Sequence, residues 1–272
     1  GWDGTPVNPS QGNIIRNNTL THGISIGAWP GYTDNSGTQI IGNTTTEIGI
    51  GYSNSDGMVI SGNTLTGGRL WTSGGSASIK LTNLIVSDNI INPGTGNGMQ
   101  LFWLENASIY GNQVSGRTAN GIAVLDAANV NIYDNISMGN SASGIVTVRL
   151  VGGEIYHNQI LNNTGNVDNP GGITIREGSR DIDVYCNVIL GNGVGIAIHQ
   201  YSQVAIENIS VFYNFITGNT VGIRNDVAGF ELDANDNYWG GGYPGDPGND
   251  TKLENPGLID TVTCWLDVDG DG

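Results

Sequence analysis

Three segments of this 272-residue chain share the form Ile-Tyr-x-Asn: SIYGNQV (108–114), NIYDNIS (131–137) and EIYHNQI (154–160). Their asparagines, Asn112, Asn135 and Asn158, stand 23 and again 23 residues apart. A fixed period of that size marks a repeat architecture, in which each unit buries its apolar face against the next. Extended both ways, the series reads Asn18, Asn43, Asn63, Asn89, Asn112, Asn135, Asn158, Asn187, Asn214 and Asn237. Two places after most of these comes an apolar residue, such as Leu65, Val114 or Ile189. Three places before comes Ile or Val, as at Ile109, Ile132, Ile155 and Val184.

Between the asparagines runs a second motif, Gly-hydrophobic-x-hydrophobic: GISI (23–26), GMQL (98–101), GIAV (121–124), GITI (172–175) and GIAI (195–198). Short alternating runs with Gly or Asn at the corners are strands of period two joined by tight turns. A repeat this short holds two or three strands and no helix, which leaves out the leucine-rich, ankyrin and tetratricopeptide arrays. The expected fold is all-β, a single parallel β-helix (solenoid) of about ten coils. With coils about 4.8 Å apart, ten coils make a rod of roughly 48 Å. An inward asparagine on each coil then forms an internal ladder that satisfies buried polar groups at the corner.

Composition narrows the class of partner. The net charge is −16, from 9 Lys+Arg and 25 Asp+Glu. That balance excludes nucleic acid and anionic membranes, which need a basic footprint. No apolar run approaches the roughly 18 residues of a membrane span. The chain opens Gly-Trp-Asp without a signal peptide, so it reads as a processed or trimmed product with flanking domains in a longer chain. Acidity and recurrent Asn-x-Ser/Thr sequons (Asn106, Asn135 and Asn162 among them) fit an extracellular or cell-surface setting. Cys186 and Cys264 either pair or are buried thiols, and the position of Cys186 beside a repeat asparagine favours thiols.

Over residues 13–240 these repeats resemble the right-handed parallel β-helix superfamily that includes the pectate lyases. The hand of the helix is implied by that resemblance. So is a substrate cleft along one long face. The acidic, Asn/Gly-rich coils are also similar to the disaggregatases of methanogenic archaea, which break down an acidic cell-surface polysaccharide.

The chain divides into a β-helix at 1–240, a Gly/Pro-rich capping tail at 241–266 and a truncated calcium-loop-like start at 267–272. In DVDGDG, Asp267, Asp269 and Asp271 hold positions 1, 3 and 5 of such a loop, which points to Ca2+. The same residues also read as a plain acidic tail.

Aligning the coils on the glycine motif brings a set of functional side chains to nearly one phase. Trp103, Asp126, Arg149, Arg176–Glu177, His199–Gln200 and Arg224–Asp226 follow the strand on successive coils. The candidate catalytic residues are Asp126, Arg176, Glu177, His199 and Asp226. The candidate substrate-binding residues are Trp71, Trp103, Arg149, Gln200, Tyr201 and Arg224. Alternating acid and base is also how an exposed sheet face avoids like-charge repulsion. A second column, Tyr110, Tyr133, Tyr156, Tyr185 and Phe212, points outward by alternation and reads first as a stabilising stack.

Two mechanisms fit the first column. A hydrolase sets two carboxyl groups about 5 Å apart for retention or roughly 6.5–9.5 Å for inversion. Asp126 and Glu177, two coils apart, would stand about 10 Å from each other. A lyase neutralises a uronate with Arg149, Arg176 or Arg224 and removes the adjacent proton with His199 or an arginine. Neither the paired aspartates of polygalacturonases nor the calcium cluster of pectate lyases is present on this face. The expectation is a secreted polysaccharide-degrading enzyme, hydrolase or lyase, acting on a uronic-acid-containing glycan laid along the helix. The alternative is a non-catalytic glycan-binding or structural module of a cell-envelope protein.

Overall fold

Stacked strands of period two bring every third-before-asparagine residue onto one inward line. In the computed structural model Ile109, Ile132, Ile155, Val184 and Val211 are in register on successive coils. All five are buried. The structure describes residues 10–27, 33–73, 76, 78–239 and the backbone of 251–252. Every inter-coil strand pairing in this region is parallel, and the fold is a single all-β solenoid of about nine turns, as expected.

The ladder is continuous from Asn18 to Asn237. Nine side-chain amide bonds join the ten asparagines, from Asn18 Nδ2 on Asn43 Oδ1 to Asn214 Nδ2 on Asn237 Oδ1. Asn135 shows how each rung closes. Its Nδ2 donates to Asn158 Oδ1 at 3.0 Å and to Ile109 O at 2.8 Å. Its Oδ1 accepts both the backbone amide and the Nδ2 of Asn112, at 3.0 and 2.9 Å. No polar atom of the side chain is left over, which is what allows complete burial.

Each coil has three faces. Strands such as Ile122–Tyr133 and Ile145–Tyr156 cover two of them, bending where Asp126 and Arg149 take φ of +53° and +51°. The third is a sheet of short strands such as Gln159–Leu161 and Val188–Leu190. The glycine of the repeat motif lies where this third face comes close. A Cβ on Gly144 would stand 2.7 Å from Ile160 Cγ2 and 2.8 Å from Asn163 Nδ2, so the position tolerates no side chain.

Cys186 is disulfide-bonded, which corrects its reading as a buried thiol; its partner lies outside the described residues. The strand Thr251–Lys252 pairs with Leu232–Asp233. The rest of the expected cap at 241–266, and Asp267, Asp269 and Asp271, lie outside the described residues.

Candidate functional site

The two longest coils lie next to each other. The steps Asn112–Asn135–Asn158 are 23 residues each, whereas Asn158–Asn187 is 29 and Asn187–Asn214 is 27. The additional residues form a loop at 164–170, before the strand Gly171–Arg176, and another at 200–206, after the strand Val194–His199. They rise at opposite ends of neighbouring strands. A cleft of about 490 Å³ opens between the 164–170 loop and the side chains of His199 and Arg224.

The loop is held by its own polar groups. Asn166 Oδ1 accepts the amides of Asp168 and Asn169 at 3.1 and 2.8 Å. Asn169 Oδ1 in turn accepts Arg176 Nη1 at 3.4 Å.

The single phase expected from the sequence resolves into separate lines. Arg176 pairs with His199 in one outward column. Arg224 belongs to a second, running Trp71, Gln100, Ala123, Val146, Thr174, Ala197, Arg224. Trp103, Asp126 and Arg149 share left-handed backbone at the corner, with φ of +59°, +53° and +51°. The Arg149 amide bonds the Glu177 carbonyl at 3.0 Å, so the corner line passes to Gly178, with φ of +73°, and Glu177 lies one residue before it.

These side chains form closed pairs. Arg149 grips both oxygens of Asp126, at 2.5 and 2.9 Å. Arg176 lies against Glu177, with Nε and Nη2 at 3.3 and 3.2 Å from its two oxygens. Asp226 Oδ2 accepts Arg224 Nε and Nη2 at 2.9 and 2.7 Å and stands 2.9 Å from His199 Nδ1. His199 Nε2 has no hydrogen-bond partner among the described residues. A ring nitrogen held on one side and open on the other is the arrangement of an oriented acid or base.

Glu177 is not placed to give a proton. Burial pushes its carboxyl up, but the Tyr201 amide, its own amide and the Arg176 guanidinium outweigh burial and hold it below the ordinary carboxylate value. Arg149 is pushed the other way, chiefly by its hydrogen bond to Asp126.

Trp71 lies at the far end of its column. Its ring packs over Gly49 on the preceding coil, where a Cβ would stand 2.5 Å away. Its Nε1 donates to Glu47 Oε1 at 2.7 Å, and the Arg69 guanidinium lies 5.7 Å from the ring centroid. Between Trp71 and Arg224, the outward-facing Ala123, Val146, Thr174 and Ala197 are buried. Trp71 and Trp103 are therefore not brought to the cleft. Tyr201, in the second loop, is exposed and has its ring 5.4 Å from the Arg176 guanidinium carbon, but it is not among the residues lining the cleft. Gln200 Nε2 donates to Val204 O at 3.2 Å within the second loop.

The tyrosine column is a true stack. Successive rings from Tyr110 to Phe212 lie 4.9–5.3 Å apart with interplanar angles of 3–11°. The faces that a sugar would need are turned to each other, so the stabilising reading holds. A shallow polar groove runs beside this stack, lined by Asn131, Glu154 and Asp183 among others. Among the described residues no group of three or more His, Cys, Asp or Glu side chains is placed to hold a metal ion.

Reading the sequence did not single out Asn166 and Asn169 of the first loop. The signal was there in the step lengths of 29 and 27 residues, which mark where the coil is lengthened.

Comparison with known proteins returns the same architecture. The family model "Right handed beta helix region" matches residues 31–189. A search of the curated proteins finds no match. Among solved structures, a mutant of the periplasmic alginate epimerase AlgG superposes with a TM-score of 0.55 at 14% identity, covering 89% of this chain and 74% of that one. The enzymatically active domain of the bacteriophage CBA120 tailspike protein 2 gives 0.56 at 14% identity, covering 90% of this chain and 42% of that one.

Proposed function

Because the chain belongs to the right-handed β-helix family, we propose that it acts on a polysaccharide bound in the cleft at His199. The observation that carries this reading is His199 itself, with Nδ1 held 2.9 Å from Asp226 and Nε2 open. Arg176 stands one rung away. The similarity to an alginate epimerase supports a uronate polymer as the substrate class, and an acidic cell-surface glycan of the kind broken down by disaggregatases belongs to the same class.

The cleft favours proton abstraction over hydrolysis. Hydrolysis needs one carboxyl group protonated to meet the leaving oxygen. Glu177 is held ionised by three donors, and Asp226 is occupied by Arg224 and His199. In the proposed step, His199 Nε2 takes the proton on the carbon next to the uronate carboxylate while an arginine stabilises the charge that develops there. The electron pair forms the new double bond, the glycosidic carbon–oxygen bond breaks, and the departing oxygen takes a proton from solvent water. The disulfide at Cys186 supports an exported location. Calcium enters this reading only through Asp267, Asp269 and Asp271.

Incubation with alginate and with polygalacturonate, followed by ultraviolet absorbance of unsaturated ends and by a reducing-end assay, tests the proposal. Unsaturated product that disappears in His199→Ala is expected. Reducing ends without unsaturation would point to hydrolysis. The mutual neutralisation of Asp126–Arg149 and Arg176–Glu177 favours a second reading, a non-catalytic glycan-binding module, which predicts binding with neither product.

A further inference from the structure

Arg176 and Glu177 are adjacent, and on a continuous strand adjacent side chains point to opposite faces. Here they meet. The strand Gly171–Arg176 ends at Arg176, and the chain turns at Gly178 with φ +73°. That backbone suits glycine, and a Cβ there would stand 2.7 Å from Arg149 Cγ. The turn folds Glu177 back until its two oxygens face Arg176 Nε and Nη2 at 3.3 and 3.2 Å.

The same carboxylate reaches the next coil. Glu177 is 4% exposed, and its Oε2 accepts the Tyr201 amide at 3.1 Å. Tyr201 lies two residues beyond His199. One buried anion therefore ties the guanidinium of one coil to the 200–206 loop of the next. A buried carboxylate is kept only when its oxygens are this well engaged.

Arginine offers five N–H groups in a planar fork. Glu177 takes the side formed by Nε and Nη2, and Asn169 takes one bond from Nη1 at 3.4 Å. The end of the fork formed by Nη1 and Nη2 keeps N–H groups that Glu177 does not use. That end has the spacing to receive a second carboxylate through two parallel bonds.

We propose that Glu177 is a positioning residue that holds Arg176 as the carboxylate-reading group of the His199 cleft. Discrimination between uronate-bearing and neutral glycans then comes from one oriented fork rather than from excess positive charge. This inference rests on the proposed glycan-binding role of the cleft and deepens it.

The test compares binding of alginate and of carboxyl-reduced alginate by the intact protein and by Glu177→Gln. The wild type is expected to prefer alginate. The variant is expected to lose on the order of tenfold in affinity for alginate, the worth of a charge-assisted contact, while keeping its affinity for the neutral polymer. Arg176→Gln, which leaves the Glu177–Tyr201 bond in place, should give the same selective loss. Equal losses on both polymers, or equal wild-type affinity for both, would overturn the proposal. The Arg176 Nε–Hε resonance supplies a readout independent of glycan: it should be sharp in the wild type and lost to solvent exchange in Glu177→Gln. An unchanged resonance overturns the positioning role. Wild type that binds neither polymer, with the resonance shift intact, overturns the glycan reading and leaves the positioning role standing.

Discussion

His199 and Asp226 lie on neighbouring coils with Nδ1 and Oδ2 2.9 Å apart, and Arg224 donates to that same Oδ2 through Nε and Nη2. The aspartate therefore fixes the imidazole ring while the arginine fixes the aspartate. Replacing His199 by Ala is expected to lower turnover of a uronate polymer by roughly 10²–10⁴, the usual contribution of a positioned base. Asp226→Asn, which keeps the shape and loses the charge, should fall between that variant and wild type. Initial rates of unsaturated-end formation check both, and a fully active His199→Ala would refute the role.

The ladder makes a separate prediction about stability. Removing the Asn135 amide leaves Ile109 O, Asn112 N and a share of the neighbouring amides unpaired in a dry interior. Each buried orphan costs roughly 1–3 kcal/mol, so Asn135→Ala should destabilise by about 3 kcal/mol or more. Equilibrium unfolding in guanidinium chloride measures the shift. A change within error of zero would mean that the ladder contributes register and little energy.

Arg117 is a buried clip of another kind. It is 1% exposed, and its side chain donates to the carbonyls of Gly67, Asn92, Thr95, Gly96 and Asn97. Burial holds its pKa below the ordinary arginine value. Substitution by Met would strand those carbonyls, and a loss of about 3 kcal/mol or more is expected. Arg117→Lys should recover little, because a single ammonium cannot reach a fork of acceptors. Denaturant midpoints of the two variants decide this.

The tyrosine stack gives an alkaline limit. Burial, then the neighbouring Tyr133, Glu154 and Asp134, push Tyr156 up from 10.0 to about 12. Tyr133 and Tyr185 are also raised, chiefly by burial. A raised folded-state pKa means that the stabilisation is complete below the unfolded value of 10.0 and is lost as pH climbs towards about 12. Thermal midpoints should be flat below pH 10 on this account and fall above it, and Tyr156→Phe should flatten the fall. An identical slope in that variant would place the alkaline loss elsewhere.

The scaffold was legible because its signal is redundant: Asn112, Asn135 and Asn158 repeat at one interval, and each brings its inward Ile with it. The site was less so. Arg176 and His199 were found, but a shared phase in sequence does not say whether two residues face the same way. A left-handed residue such as Asp126 or Arg149 moves the following side chains to another face. Loop contacts such as Arg176 with Asn169 depend on how 164–170 folds, for which a strand period carries no information. The parallel amide row at Asn140, Asn163 and Asn192 escaped notice for a plainer reason. It stands five residues behind the main series and looks like sequence noise until the main series is stacked.

A ladder that recognises only the next asparagine has a consequence for how such a chain grows. The last finished coil offers one amide oxygen and one row of carbonyls to the incoming segment, so each turn acts as the template for its successor. A slip of one residue would bring a strand side chain, not an amide, to that oxygen and would be rejected at once. The loops that join the strands between two asparagines are not held to any such match. Length can therefore be added at 164–170 or 200–206 without disturbing the count, and the rod is free to vary its working surface while its proofreading stays intact.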